Sequence, residues 1–113
     1  MLMKNLEDLR MELFNLRNSI STSIVELLNS NNCTKIDFNE YFECGEMPII
    51  VEGANCDELV YCHKVSIIDN ENFECFCYDL YDNHHTFNNK QIECDLLFGL
   101  YEFIITNKEK LFQ

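Results

Sequence analysis

Residues 59–81, LVYCHKVSIIDNENFECFCYDLY, decide the fold because they hold two apolar segments joined by a short polar one. Both segments, 59–68 and 73–81, are rich in Val, Ile, Phe and Tyr, which are residue types that favour strands. The polar connection, Asp69–Asn72, has the length and composition of a hairpin loop. The sequence therefore predicts two neighbouring antiparallel strands in the middle of the chain.

The second of these segments is apolar on both sides. Alternate residues of a strand share a face, so Cys75 and Cys77 lie on the same side as Phe73, whereas Phe76 and Tyr78 lie on the other. A central strand covered on both sides has this composition, and a free cysteine behaves as a small buried apolar residue. We therefore interpret the two cysteines as core residues.

Two further strands are predicted before the hairpin. Segment 35–43 alternates apolar and polar residues, and segment 48–51 is a short apolar run that begins with proline. The four strands in chain order predict a meander. The polar stretch 82–89 after them is predicted to be a loop, with His84 and His85 exposed.

A helix is predicted at each end of the chain. The first helix is predicted over roughly residues 3–29, because apolar residues recur there and just before it at alternating spacings of four and three, which is nearly a heptad period. The apolar residues of this repeat are Leu2, Leu6, Leu9, Leu13, Leu16 and Ile20. The segment NSISTS at 18–23 is poor in helix formers, and Ser23 with Glu26 three residues later fits a capping box, so the sequence permits a kink or a break there. A second helix is predicted over about 89–108, with Asn88 or Asn89 as its N-cap.

This order of elements, α-β-β-β-β-α, predicts the α+β class. The expected architecture is a long N-terminal helix, a four-stranded antiparallel meander and a C-terminal helix, with both helices on one face of the sheet. No repeat, linker or low-complexity segment interrupts it. We expect one domain over 1–113.

Cysteine usage and hydropathy predict a cytoplasmic protein. The seven cysteines are odd in number and too few for a disulfide scaffold. The first residues lack the apolar core of a signal peptide, and no apolar run is long enough to span a bilayer. We expect reduced thiols and no membrane association.

Metal and thiol chemistry have little support in the sequence. Zinc sites take pairs of ligands spaced so that a turn directs both at one ion, and Cys75 with Cys77 lacks that spacing. His84 and His85 are adjacent and would point to opposite sides of an extended chain. A catalytic thiol needs a cationic neighbourhood, whereas most of these cysteines lie among carboxylates. We expect no metal, no cofactor and no catalytic residues; a small zinc-stabilised module stays as an alternative.

Acidic charge is concentrated in the middle of the chain. The net charge is −12, and residues 37–102 hold fifteen of the twenty acidic residues but only two of the eight lysines and arginines. Such a segment repels nucleic acids and anionic membranes and attracts basic proteins.

The first functional hypothesis is therefore a non-enzymatic domain that binds a basic protein partner. Its sharper form is an inhibitor that mimics nucleic-acid phosphates and blocks a nuclease-like partner, as an immunity or anti-defence protein of a phage or mobile element would. Acidic and tyrosine side chains form the predicted partner-binding site: Glu40, Glu43, Glu74, Asp79, Tyr81 and Asp82.

The second hypothesis is a structural or assembly protein that dimerises through the first helix. The predicted helix is longer than a typical strand, so part of it is expected to extend beyond the domain. The predicted self-association residues are Leu6, Leu9, Leu13 and Leu16.

Overall fold

The computed structural model describes residues 5–52 and 59–112 and shows an α+β fold. The helices are α1 (Leu6–Ser30), α2 (Cys94–Thr106) and the short α3 (Lys108–Leu111). The strands of these residues are β1 (Lys35–Asp37), β2 (Ile49–Glu52), β3 (Leu59–Ile67), β4 (Phe73–Tyr78) and β5 (His84–Asn88). The predicted fold class is confirmed: a long N-terminal helix, an antiparallel sheet and a C-terminal helix.

Strand β3 is the centre of the sheet, and the predicted meander is wrong. β4 pairs with one edge of β3, while β1 and β2 pair with successive halves of the other edge. The predicted strand 35–43 ends early because the Asp37 carboxylate accepts a hydrogen bond from the Asn39 amide (3.0 Å) and begins a 3-10 turn. The chain returns to β3 where the Cys62 amide donates to the Pro48 carbonyl (2.8 Å).

The polar stretch 82–89, predicted as a loop, contains the edge strand β5. Its residues pair with β4 from Tyr78 opposite His84 to Glu74 opposite Asn88. The prediction failed because an edge strand open to solvent needs few apolar side chains. β4 ends at Tyr78, and a short turn leads from it to β5, which begins at His84.

Helix α1 is continuous through residues 18–23, where the sequence permitted a kink or a break. It runs for 25 residues, and the Asn5 side chain caps it by accepting from the Asp8 amide (2.8 Å). Ser23 does not begin a new helix; its hydroxyl donates to the Ser19 carbonyl one turn earlier (2.8 Å), which leaves the helix intact. Leu2 lies outside the described residues.

The C-terminal helix begins at Cys94, later than predicted. Asn88 caps a separate 3-10 turn, Asn89–Gln91, instead of α2. Asn89 is buried within that turn: its side chain accepts from the Phe73 amide (3.1 Å) and donates to the Glu71 carbonyl (3.2 Å). These two bonds fix the turn against the β3–β4 hairpin.

The core lies between the helices and one face of the sheet. Phe73, Cys75 and Cys77 of β4 are fully buried, whereas the residues that alternate with them are half-exposed, so both helices cover the same face. α1 contributes only its second half, including Ile24 and Leu28, which are 0% exposed. The main partners from α2 are Leu97, Leu100 and Ile104.

Substituting Phe38 by alanine is expected to lower the free energy of unfolding by about 3–5 kcal/mol. The Phe38 ring is completely buried and packs edge-on against Phe103, with centroids 5.1 Å apart, so its loss leaves a cavity. Urea denaturation followed by circular dichroism measures the change. Phe98→Ala, which removes the same group from an exposed position of α2, is the control and should change stability by less than about 0.5 kcal/mol. Equal effects of the two substitutions would contradict the described core.

Candidate functional site

The first half of α1 extends away from the core and carries exposed apolar side chains. We call residues 6–16 the α1 arm; at 1.5 Å per residue it is about 16 Å long. Every residue of the arm is exposed, and the first buried residue of α1 is Ile20. The arm keeps its helical structure because the second half of the same helix is anchored in the core.

One side of the arm forms the leucine stripe, composed of Leu6, Leu9, Leu13 and Leu16. These side chains are 46–62% exposed. Their spacing of three and four residues places them in a row along one side of the helix. The structure therefore brings the four residues predicted for self-association together on one exposed surface.

Two more exposed apolar residues of the arm, Met11 and Phe14, were not among the residues predicted from the sequence to take part in association. They are 59% and 58% exposed and line a shallow depression together with Glu7 and Arg10. At 3.6 residues per turn, their positions in the sequence place them on a side of the helix away from the leucine stripe. A helical projection of the sequence would show these two apolar residues on one side of the helix, but the longer leucine repeat was the pattern used for the prediction.

The predicted acidic site is not a single surface. Glu40 and Glu43 are exposed in the connection between β1 and β2, and Tyr81 and Asp82 are exposed in the β4–β5 turn. A hydrogen bond of 3.2 Å between the Tyr78 hydroxyl and Asn39 Oδ1 holds these two connections near each other.

Glu74 lies elsewhere. It is near the beginning of β4, opposite Ser66 and Asn88, whereas the β4–β5 turn follows the end of that strand.

Asp79 is buried, which corrects its assignment to an exposed acidic surface. It is 1% exposed, and its Oδ1 accepts from the backbone amides of Tyr81 (2.8 Å) and Asn83 (3.0 Å). Its Oδ2 lies 3.0 Å from Nε2 of His85, which donates to it. Hydrogen bonding, first from His85 and then from the two amides, lowers the pKa of Asp79 well below its usual range.

The two adjacent histidines separate, as their positions on a strand require. His85 is half-buried beside Asp79, whereas the ring of His84 lies near His63, with centroids 6.3 Å apart. His63 stacks on Tyr78 with a centroid distance of 4.9 Å. Both ring nitrogens of His63 are shielded from solvent and have no hydrogen-bond partner among the described residues, and burial lowers its pKa.

Three thiols lie side by side in the core. Cys62 is directly opposite Cys77 in the β3–β4 pair, and both are 0% exposed, as is Cys75. Burial raises the pKa of Cys62, and hydrogen bonding to Cys62 together with burial raises that of Cys77. His85 is opposite Cys77 in the β4–β5 pair, but a thiol that is sealed and protonated cannot act as a nucleophile.

The described part of the chain was also searched for metal sites, pockets and membrane-spanning helices. No group of three or more His, Cys, Asp or Glu residues there is arranged to hold a metal ion. A polar groove of about 520 Å³ lies between α1 and the β3–β4 turn, lined by amides and hydroxyls together with Glu26, Glu71 and Lys90. None of the helices in residues 5–52 and 59–112 has both the length and the apolar character needed to cross a bilayer.

Comparison with known protein families, curated proteins and solved structures found no match to this chain.

The Asp79 hydrogen bonds predict a pH-dependent contribution to stability. Because the pKa of Asp79 is lower in the folded than in the unfolded chain, its contribution is present above about pH 4 and is lost as the pH falls below that value. We expect Asp79→Asn to lower the urea midpoint at pH 7 and to weaken its decrease between about pH 5 and pH 3. The exposed neighbour Asp82→Asn is the control. An unchanged midpoint for Asp79→Asn at pH 7 would show that these bonds do not stabilise the fold.

The sealed thiols predict selective protection from alkylation. With iodoacetamide at about pH 8, Cys62, Cys75 and Cys77 should stay unlabelled in the folded protein, because the reagent cannot reach a thiol that is fully buried. The half-buried Cys33 and Cys94 should react faster. Peptide mass spectrometry locates the label, and unfolding in urea should remove the difference. Rapid labelling of Cys62 or Cys77 in the native protein would rule out the described core.

Proposed function

We propose that this chain is a non-enzymatic protein-interaction domain that self-associates through the leucine stripe of the α1 arm. The observation that carries this proposal is the row of four half-exposed leucines on a helix that extends beyond the core. Exposed apolar surface on this scale is typical of an association site. The function is thus that of a structural or assembly component.

The arm is prepared for association before a partner arrives. An isolated helix of eleven residues is marginal in water because its first turn is costly to form. Here the second half of α1 packs Ile24 and Leu28 into the core and supplies that first turn. Pairing therefore does not have to fold the arm, and less conformational entropy opposes it.

The expected strength of association is modest. Each leucine that passes from half-exposed to buried contributes about 1 kcal/mol, so four leucines on each of two copies contribute about 8 kcal/mol, which exceeds the lower estimates of the cost of association, about 4 kcal/mol, by only a few kcal/mol. We therefore expect a reversible dimer whose population depends on concentration.

Capture of a basic partner by the acidic residues ranks below self-association. Mimicry of nucleic-acid phosphates needs carboxylates in a continuous array. Of the predicted residues, Asp79 is buried and Glu74 lies apart from the β4–β5 turn, so Glu40, Glu43 and Asp82 are left at one end of the sheet. Acidic residues arranged in this way favour a role in keeping the protein in solution over a role as a surface that imitates phosphates.

Substituting Leu9 and Leu13 together by glutamate is expected to convert the dimer into a monomer. Multi-angle light scattering over a concentration series should give wild-type protein a mass approaching twice 13.4 kDa at high concentration, and the double variant 13.4 kDa throughout. Glutamate is a good helix former, so the arm should stay helical, which circular dichroism checks.

The Met11→Glu/Phe14→Glu double variant is the matched control for this experiment. It places the same two charges on equally exposed apolar residues of the arm but off the leucine stripe, so the dimer should persist. A wild-type protein that stays monomeric at all concentrations, or a dimer unaffected by the double substitution, would overturn the proposed function.

A further inference from the structure

We propose that the free edge of β5 is a second self-association surface, at which two copies of the chain pair their β5 strands antiparallel. This inference goes beyond the proposed function, because the contact is made by backbone groups of the sheet and not by the α1 arm. It is carried by the direction of the backbone groups of β5 and by the lack of charge on this strand.

One edge of β5 pairs with β4, and its other edge is free. β5 is the last strand on its side of the sheet, and within residues 5–52 and 59–112 no strand pairs with its outer edge. The ladder between β4 and β5 is regular from Tyr78 opposite His84 to Glu74 opposite Asn88. The side chains of His84 and Thr86 are exposed, as expected at an open edge.

The position of the turn determines which backbone groups of β5 face outward. Hydrogen-bonded positions alternate along an antiparallel pair. The Asp79 amide donates to the Asn83 carbonyl (3.0 Å) where the turn closes, so the next hydrogen-bonded positions on β5 are His85 and Phe87. The residues between them direct their N–H and C=O groups away from β4.

His84 and Thr86 are the residues with free outward groups. Asn88 fits the same alternation, because its amide turns away from β4 and donates to the Gln91 side chain (2.9 Å). In the described part of the chain, the outward amides of His84 and Thr86 have no such acceptor. These two residues therefore offer donors and acceptors to a further strand.

The other strand edges of the described residues are protected and β5 is not. Proteins usually protect a free edge with a short strand, charged residues, proline or a bulge. β1 is three residues long and carries Lys35 and Asp37. β2 follows Pro48, ends at Glu52 and pairs with β3 through an irregular register. β5 has no Lys, Arg, Asp, Glu or Pro and no irregularity.

The strand that fits this edge is β5 of a second copy. In an antiparallel pair with its two-fold axis at His85, His84 of each copy lies opposite Thr86 of the partner subunit. Both residues have outward N–H and C=O groups, so the pair forms about four hydrogen bonds and leaves none of these groups unpaired. The two His85 rings lie side by side, where an aromatic pair stabilises neighbouring strands.

Charge favours the same occupant. The net charge is −12, so two copies repel each other over most of the acidic segment 37–102. Residues 83–89, NHHTFNN, are free of acidic residues and of Lys and Arg, so two copies can approach there with the least repulsion. A basic partner would instead bind where the carboxylates are.

The edge contact is expected to be weaker than the arm contact. Strands of five residues bury too little area to hold two copies together strongly, and we expect a dissociation constant on the order of 1 mM. At the much lower concentrations of light scattering, the edges stay unpaired. Near the millimolar range, dimers formed through the arms join through their edges.

Amide hydrogen exchange measured by NMR tests the edge contact. The Leu9→Glu/Leu13→Glu variant serves as the background, so that the arm does not contribute to association. Between about 0.05 mM and about 1 mM protein, exchange of the His84 and Thr86 amides should slow by a factor of about two, because about half of the copies are then paired.

Two other amides are internal controls. The His85 amide is bonded to β4, so its exchange should be slow and independent of concentration. Asn70 is exposed in the β3–β4 turn, and its amide should exchange equally fast at both concentrations.

Thr86→Pro is the decisive variant. It removes an outward N–H that makes no bond to β4, and an edge strand tolerates proline at such a position. Circular dichroism should therefore be unchanged, whereas the slowing at His84 should disappear. Thr86→Val keeps the N–H and should keep the slowing. Thr86→Lys places a charge on the edge and should also abolish the slowing, which keeps the test valid if the proline variant does not fold.

The results that would overturn this inference are distinct from those that bear on the leucine stripe. Exchange at His84 and Thr86 that does not depend on concentration would exclude the edge contact. Equal slowing at Asn70 would show nonspecific association, and slowing that survives both Thr86→Pro and Thr86→Lys would place the contact elsewhere. None of these results concerns the stripe, and a stripe that fails the light-scattering test leaves the edge contact standing.

Discussion

The fold depends on the packing of two helices against one face of a single antiparallel sheet. Phe73 and Cys75 of β4 and Val65 of β3 form the sheet side of this contact, and Ile24 and Leu28 of α1 lie in the same core. Such a core of fully buried apolar side chains is the main favourable term in the stability of a small domain. Because the core ends at Ile20, it fixes both where α1 is anchored and where its arm begins.

The central position of β3 explains the unusual order of the strands. β3 is the longest strand, and its edge opposite β4 is long enough for two short strands in succession. β1 and β2 therefore share that edge instead of pairing with each other. The connection between them carries Phe38 and Phe42, both of which pack edge-on against Phe103 and so join the sheet edge to α2.

The parts of the fold with strong periodicity could be predicted from the sequence. The leucine repeat indicated α1 and its extension, and the apolar segments around Asp69–Asn72 indicated the hairpin. β5 could not be found because it is an edge strand with polar side chains and so lacks an apolar pattern. The burial of Asp79 could not be predicted either, because nothing in the sequence separates it from the many other acidic residues. Its carboxylate accepts hydrogen bonds from the amides of a turn, and the position of that turn depends on where β4 ends.

The three adjacent thiols of the inner sheet face make the protein sensitive to oxidation each time the sheet opens. While the sheet is closed, these thiols are buried core side chains that do not react. Once it opens, Cys62 and Cys77 lose the burial that raises their pKa and become accessible to oxidants, and a disulfide formed in the unfolded chain with another of the seven cysteines would obstruct refolding. The working lifetime of the protein under oxidising conditions is then set by how often the sheet opens, which is a rate and not an equilibrium stability.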